Sequence, residues 1–227
     1  MDANTLFAAL NNTFFTCIPP QYFVILDMKI LNLYCGIGGN RELWGSGHDI
    51  TAVEIDPKIA AKYQVLYPTD TVIVADAHEY LLDNFRNFDF VWTSPPCQTH
   101  SRTNHFINNG VAKRPRYPDM SLWQEIIFLQ QFSKSLYCVE NVISYYPPLI
   151  PCQTVGRHQI WANFKVTKID MPKNEIGSMG RGWNTACKIP LAERNKANAN
   201  LGLHILNCAN GIFIEKSFEV GSLFSFT

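Results

Sequence analysis

The 227-residue chain lacks a charge bias: 19 Lys and Arg stand against 19 Asp and Glu. That excludes a general nucleic-acid coat, which needs a basic excess. It leaves room for a local basic groove, because only charge facing the phosphates matters. The chain also lacks an apolar run of about 18 residues, the least a membrane-spanning helix requires, so no membrane partner is expected. No two of its seven cysteines stand at C-x-x-C spacing, and their number is odd. A zinc knuckle or a fully paired disulfide framework therefore does not fit; no metal is expected, and a reducing, cytoplasmic compartment is. Internal repeats and low-complexity segments are missing too. Residues 1–27 carry apolar stretches at 6–10, 14–18 and 22–26 without a basic n-region, which argues against a secretory signal. They are expected to be an extension without a part in the chemistry.

From Lys29 onward, short apolar runs alternate with helical patterns. Strands are expected over 30–33, 50–53, 71–74, 88–93 and 136–139. A short helix is expected to start at Arg41–Trp44 and end near Gly45 and Gly47. A longer one starts at Pro57, where a first turn tolerates proline, and Ile59, Ala60, Tyr63, Leu66 and Tyr67 recur at helical spacing. Asp119 is expected to cap a third helix running to about Phe132. Strands separated by helices of this length predict βαβ units and an α/β fold with a Rossmann-like, doubly wound, mostly parallel sheet. Such sheets bind ligands beyond the carboxyl ends of their strands. Glu54, Asp76, residues 94–98 and Glu140 all fall at those ends.

Three stretches carry candidate chemistry. The first, Leu33-Tyr34-Cys35-Gly36-Ile37-Gly38-Gly39-Asn40, joins a strand to a turn. Its glycines let backbone approach a ligand and present N–H groups at a helix start. Taken alone it is equally a tight turn without a ligand. Glu54 at the next strand end suits ribose hydroxyls, and Asp76 at the third suits an adenine amino group. The glycine spacing departs from the G-x-G-x-x-G of dinucleotide sites. The second stretch, Thr93-Ser94-Pro95-Pro96-Cys97-Gln98-Thr99-His100-Ser101, sets a cysteine behind two stiffening prolines. An inert thiol is the common fate of a lone cysteine. A nucleophile needs a lowered pKa, and Arg102, Lys113, Arg114 and Arg116 are basic neighbours that supply one and can clamp phosphates. The third, Val139-Glu140-Asn141-Val142, ends an apolar strand with an acid able to hand a proton to a ring nitrogen.

Together these stretches resemble the cytosine carbon-5 methyltransferase family, particularly its compact bacteriophage-type members. Tyr34-Cys35-Gly36-Ile37-Gly38-Gly39 is similar to the family's aromatic-x-G-x-G-G turn. Pro96-Cys97-Gln98 with Ser101 matches its Pro-Cys-Gln-x-x-Ser loop, and Glu140-Asn141-Val142 its Glu-Asn-Val triplet. The order along the chain also matches. The likeness covers about residues 28–165, with a weaker echo at 193–206.

The resemblance implies a sheet of the S-adenosylmethionine-dependent methyltransferase type. It also implies transfer of a methyl group to carbon-5 of a cytosine flipped out of double-stranded DNA, through a covalent adduct on Cys97. Glu140 would hold the base and Arg157 its carbonyl. Tyr34, Gly36, Ile37, Gly38, Gly39, Glu54, Ile55, Asp76, Ala77, Pro95 and Asn195 would bind S-adenosyl-L-methionine. Gln98, Ser101, Arg102, Lys113, Arg114, Arg116 and Arg181 would meet nucleic acid. The expected divisions are a catalytic and cofactor-binding core at 28–165, a reduced recognition segment at 166–192, a helix closing the cofactor site at 193–211, and a tail at 212–227. A monomer in the cytoplasm (the host's, if virus-encoded) that shields DNA from restriction would fit such relatives.

The chain departs from the family in three places. One arginine stands in Arg157-His158-Gln159-Ile160-Trp161 where relatives carry a pair. Only about 30 residues separate Trp161 from Arg194, where relatives often insert a recognition domain of ~100 residues. The proline pair expected near Asn195 is missing. Three rival readings follow: an RNA (tRNA) cytosine carbon-5 methyltransferase, an amino-methyltransferase with a Ser-Pro-Pro-aromatic loop, and a decayed relative that binds cofactor or nucleic acid without turnover. Cys97 in place of the aromatic residue speaks against the second.

Overall fold

The computed structural model describes residues 27–102, 117–170 and 196–213. Seven strands form one sheet: β1 (Lys29–Leu33), β2 (Asp49–Glu54), β3 (Thr71–Val74), β4 (Phe90–Thr93), β5 (Leu136–Val142), β6 (Gln153–Val155) and β7 (His158–Ala162). Their spatial order is β3-β2-β1-β4-β5-β7-β6. The first five pair in parallel, and the β6–β7 hairpin completes the sheet antiparallel to β5. Among the described residues these helices accompany them: α1 (Pro57–Leu66), α2 (Ala77–Asn84), α3 (Ser121–Phe132) and α4 (Ala199–Ala209).

Strand alternation sends successive side chains to opposite faces. Ile30, Phe90, Trp92, Cys138 and Ile160 therefore pack with Leu201, Ile205 and Leu206 of α4. Leu31, Leu33, Val91 and Val139 pack with Leu81 of α2 and Leu122, Ile126 and Leu129 of α3 on the other face. Helices on both faces of a mostly parallel sheet make the Rossmann-like, doubly wound fold that the sequence predicts. It is the fold of S-adenosylmethionine-dependent methyltransferases. The four C-terminal ends that matter, those of β1, β2, β4 and β5, lie side by side and build one rim.

Several boundaries differ from the sequence reading, each for a tertiary reason. Arg41–Trp44 forms turns and not a helix. Arg41 is buried there, with Nε 2.8 Å and Nη2 3.1 Å from the Asp70 carboxylate and Nη1 2.7 Å from the Gly45 carbonyl. These contacts hold the segment in an irregular path. The fourth strand starts two residues late, because a 3-10 turn (Phe85–Asn87) precedes it. The fifth runs three residues past its expected end because β7 pairs with it, so Glu140 lies inside β5, opposite Ile160. The hairpin was not expected at all. Its two-residue turn, Gly156-Arg157, uses the positive φ of Gly156 (57°), as tight hairpins require. Asp119 stands one residue before the N-cap of α3, which is Met120, and accepts from the Ser121 N–H at 3.0 Å.

Candidate active site

The glycine turn leaves β1 at Tyr34, the described non-glycine residue at positive φ (54°). Asn32 and Asn40 exchange side-chain hydrogen bonds across its base, the shorter being 2.8 Å. The space left by each missing side chain differs. A Cβ at Gly36 would meet nothing within 4 Å. A Cβ at Gly38 would lie 2.3 Å from the Tyr67 ring, and one at Gly39 2.3 Å from the Ala197 carbonyl. Gly38 and Gly39 are thus small because protein packs against them, whereas Gly36 opens on free space. Tyr67 also donates to the Gly38 carbonyl at 2.9 Å. Ile37 is buried within the turn.

Glu54 closes β2 beside that opening. Its carboxylate accepts from the Gly36 N–H and the Asp56 N–H, each at 3.0 Å. Each oxygen keeps acceptor capacity for a hydroxyl, since a carboxylate offers about four lone-pair sites. Ile55, next to it, is 65% exposed. Asp76 caps α2, one oxygen accepting from His78 N–H at 2.8 Å and Glu79 N–H at 3.1 Å, and Ala77 starts the helix. Asn195 lies outside the described residues. Its neighbours do close over the turn: Ala197 abuts Gly39, Lys196 pairs with Glu42, and Gly202 of α4 packs on the Asn40 backbone. An open Gly36, an accepting Glu54 and an exposed apolar Ile55 on one rim fit a nucleoside-bearing cofactor such as S-adenosylmethionine. Among the described residues, no group of His, Cys, Asp and Glu could hold a metal ion, and no helix is long and apolar enough to cross a membrane.

The cysteine loop leaves β4 one strand away. Pro95 is buried, and its carbonyl accepts from the Asn141 side chain at 3.0 Å. The Cys97 carbonyl accepts from the His100 and Ser101 N–H groups, both at 3.0 Å. Ser101 bridges Ser144, and the Tyr145 N–H donates to the His100 carbonyl at 3.1 Å. The loop is thereby stitched along the end of β5. Asn141, central to this stitching, was not expected to matter beyond the triplet it belongs to.

Cys97 sits half-buried beside Glu140. Burial first, and the Glu140 charge second, push its thiol up to about 11. The expectation of a lowered thiol is therefore corrected. Among the described residues a carboxylate faces the sulfur, and the lysine and arginines at 113, 114 and 116 lie outside them. Glu140 is itself held at both oxygens. Ser94 Oγ donates to one at 2.9 Å, while Trp92 Nε1 donates to Ser94 Oγ at 2.8 Å. His158 Nδ1 lies 2.6 Å from the other. Arg157 is exposed in the hairpin turn, and its carbonyl accepts from Ile143 N–H at 3.2 Å. The residue of this element that reaches Glu140 is His158, which the sequence reading passed over. Gln98 and Arg102 are exposed near the loop, and Arg181 lies outside the described residues.

A second acid was missed. Glu125 of α3 is fully buried under the rim and accepts from the Tyr34 hydroxyl, from Thr93 Oγ1 at 2.7 Å and from His78 Nδ1 at 3.2 Å. Burial nevertheless raises its pKa. One signal was available: an acid within the apolar face of Leu122-Trp123-Gln124-Glu125-Ile126.

The model of the C-5 cytosine-specific DNA methylase family matches residues 28–143, just over half of the 227. The chain belongs to that family. Its members are cytosine methyltransferases that take the methyl group from S-adenosylmethionine. No curated protein gives a significant match. Among solved structures the chain is similar to DNMT2 of Spodoptera frugiperda, with 28% identity over 50% of this chain and 35% of that one, at a TM-score of 0.35. It is also similar to a hypothetical protein of Thermus thermophilus, with 15% identity over 70% and 82% and a TM-score of 0.44. A third is the Entamoeba histolytica methyltransferase EhMeth, with 15% identity over 51% and 38% and a TM-score of 0.35. The matched part thus spans little more than a third of DNMT2 and of EhMeth. The fold assignment rests on the strand order.

Proposed function

We propose that the protein methylates carbon-5 of cytosine in double-stranded DNA through a covalent adduct on Cys97. The observation that carries this reading is the fastening of the Cys97 loop to the end of β5, where Ser94 Oγ donates to Glu140 at 2.9 Å and Asn141 donates to the Pro95 carbonyl at 3.0 Å. S-adenosylmethionine, held by Glu54, Asp76, Ala77, Ile55 and the backbone from Tyr34 to Gly39, with Pro95 and Asn195 at its edges, supplies the electrophilic methyl group.

The remaining chemistry belongs to the chain. Cys97 rests as a thiol near a carboxylate, and on attack its proton passes to solvent water, which leaves the thiolate as the nucleophile. The thiolate then adds to carbon-6, and the displaced electron pair makes carbon-5 nucleophilic. Glu140 holds ring nitrogen-3 and the exocyclic amine and stabilises the adduct. After methylation a base, water-relayed, removes the carbon-5 proton, and Cys97 leaves with the carbon-6 bond pair. Arg157 contacts the base carbonyl. Gln98, Ser101, Arg102, Lys113, Arg114, Arg116 and Arg181 grip the strand from which the cytosine is flipped.

Incubation with labelled S-adenosylmethionine and either duplex DNA or tRNA tests the substrate. DNA is expected to be labelled, and label confined to tRNA would refute the DNA reading. Bisulfite sequencing of DNA from expressing cells would give the target context. Cys97→Ser is expected to abolish methylation while cofactor binding survives; full activity of that variant would refute the covalent scheme. A 5-fluorocytosine duplex that forms no adduct would point to the decayed relative.

A further inference from the structure

His158 stands on the same face of the sheet as Glu140. In the β5–β7 register Glu140 faces Ile160, and His158 is two residues back along β7, which returns it to that face diagonally. The result is the 2.6 Å approach of Nδ1 to Oε1, between side chains only 14% and 9% exposed. A separation that short is a close contact, under the roughly 2.9 Å of neutral N–H···O pairs. Among the described residues, other groups stand around the pair. Cys97 faces it from the loop after β4, Cys138 stands two residues earlier on β5 where Glu140 opposes its ionisation, and Arg157 precedes it in the hairpin turn. Across from His158 β6 offers only Val155. Trp92 and Ser94 of β4 and its loop complete the surround with neutral donors.

We infer that His158 is a positioning residue for Glu140, and that the His158–Glu140 pair carries the proton which ring nitrogen-3 of cytosine takes up during the attack. This rests on the proposed covalent reading. As Cys97 bonds to carbon-6, one proton passes from the pair to nitrogen-3. The pair is left as neutral imidazole and carboxylate, and the proton returns when the carbon-6 to sulfur bond breaks. His158 touches Glu140, so it acts on the base through that carboxylate.

The test compares single-turnover methyl transfer by the wild type and by His158→Asn, which keeps an N–H donor without a titrating ring. The ratio of variant to wild-type rate cancels the shared dependence on Cys97. The ratio is expected to stand near one at about pH 5 and to fall about tenfold by about pH 7.5, across the range where imidazole changes charge. The affinity for S-adenosylmethionine should not change. His158→Gln should behave alike, and it serves if the Asn variant does not fold. A wild type that forms an adduct with the 5-fluorocytosine duplex, together with a ratio constant over pH, overturns this inference alone. A wild type that forms no adduct on DNA or RNA overturns the covalent reading and this inference together.

Discussion

Replacing Tyr34 by Phe removes one hydroxyl and nothing else, yet that hydroxyl donates to the fully buried Glu125. A hydrogen bond to a charged group is worth about 2 kcal/mol, within a range of roughly 1.5–3. Tyr34 also sits at positive φ, a conformation that costs a non-glycine residue about 1 kcal/mol or more and that the tether helps to hold. The loss should depend on pH. Burial raises the Glu125 pKa while the Tyr34, Thr93 and His78 bonds oppose the rise. The folded protein therefore keeps the Glu125 proton to higher pH than the unfolded chain, whose glutamates titrate near about 4.3. Between those two values the native state binds more protons, so stability falls as pH rises through the window.

Without the Tyr34 hydroxyl the folded value climbs further and the window widens upward. Tyr34→Phe should consequently cost less at about pH 4 than at higher pH, where the folded protein has released the Glu125 proton and the loss approaches about 2 kcal/mol. In a chain of this size that is a fall of roughly 4–8 °C in Tm. Urea unfolding of both proteins at about pH 4 and at neutrality measures it. An equal loss at both, or a loss under about 0.5 kcal/mol at neutrality, would refute the assignment of a charged Glu125 held by Tyr34.

Four further outcomes are expected. Cys97 should be alkylated slowly at neutral pH, with a rate rising about tenfold per pH unit until its raised value near 11 is approached. Glu140→Gln should speed that alkylation at any given pH by removing the opposing charge, and mass mapping of the labelled peptide would reveal a flat profile if the thiol were already ionised. Glu54→Ala should weaken S-adenosylmethionine binding by about 1–3 kcal/mol, because the Gly36 and Asp56 N–H groups lose their acceptor along with the ribose hydroxyls; calorimetry showing equal affinity would exclude Glu54 from the site. Asp70→Ala should destabilise the fold by about 3–5 kcal/mol, since it strands the buried Arg41 guanidinium and the Tyr63 hydroxyl. A denaturation midpoint within error of the wild type would show that this network does not support the glycine turn.

Local pattern was enough for the first five strands and for the three motif stretches. Apolar runs of strand length between helical stretches announced the parallel sheet, and the glycine turn, the prolyl-cysteine loop and the Glu-Asn-Val triplet announced the family and its methyl donor. Those features are legible because strand alternation, proline stiffness and glycine's missing side chain act within a few residues. What involves partners far apart in the chain was not legible. Glu140 gained a place inside β5 only because β7 lies against it, and the same pairing brought His158 to its carboxylate. The Cys97 thiol went up and not down because the fold buries it and, second, sets the Glu140 charge near it. Glu125 found Tyr34, 91 residues away, and Arg41 gave up its helix for Asp70. A proton's preferred site and a buried charge's partner are set by distances of a few ångströms between elements, and only the folded chain has those distances.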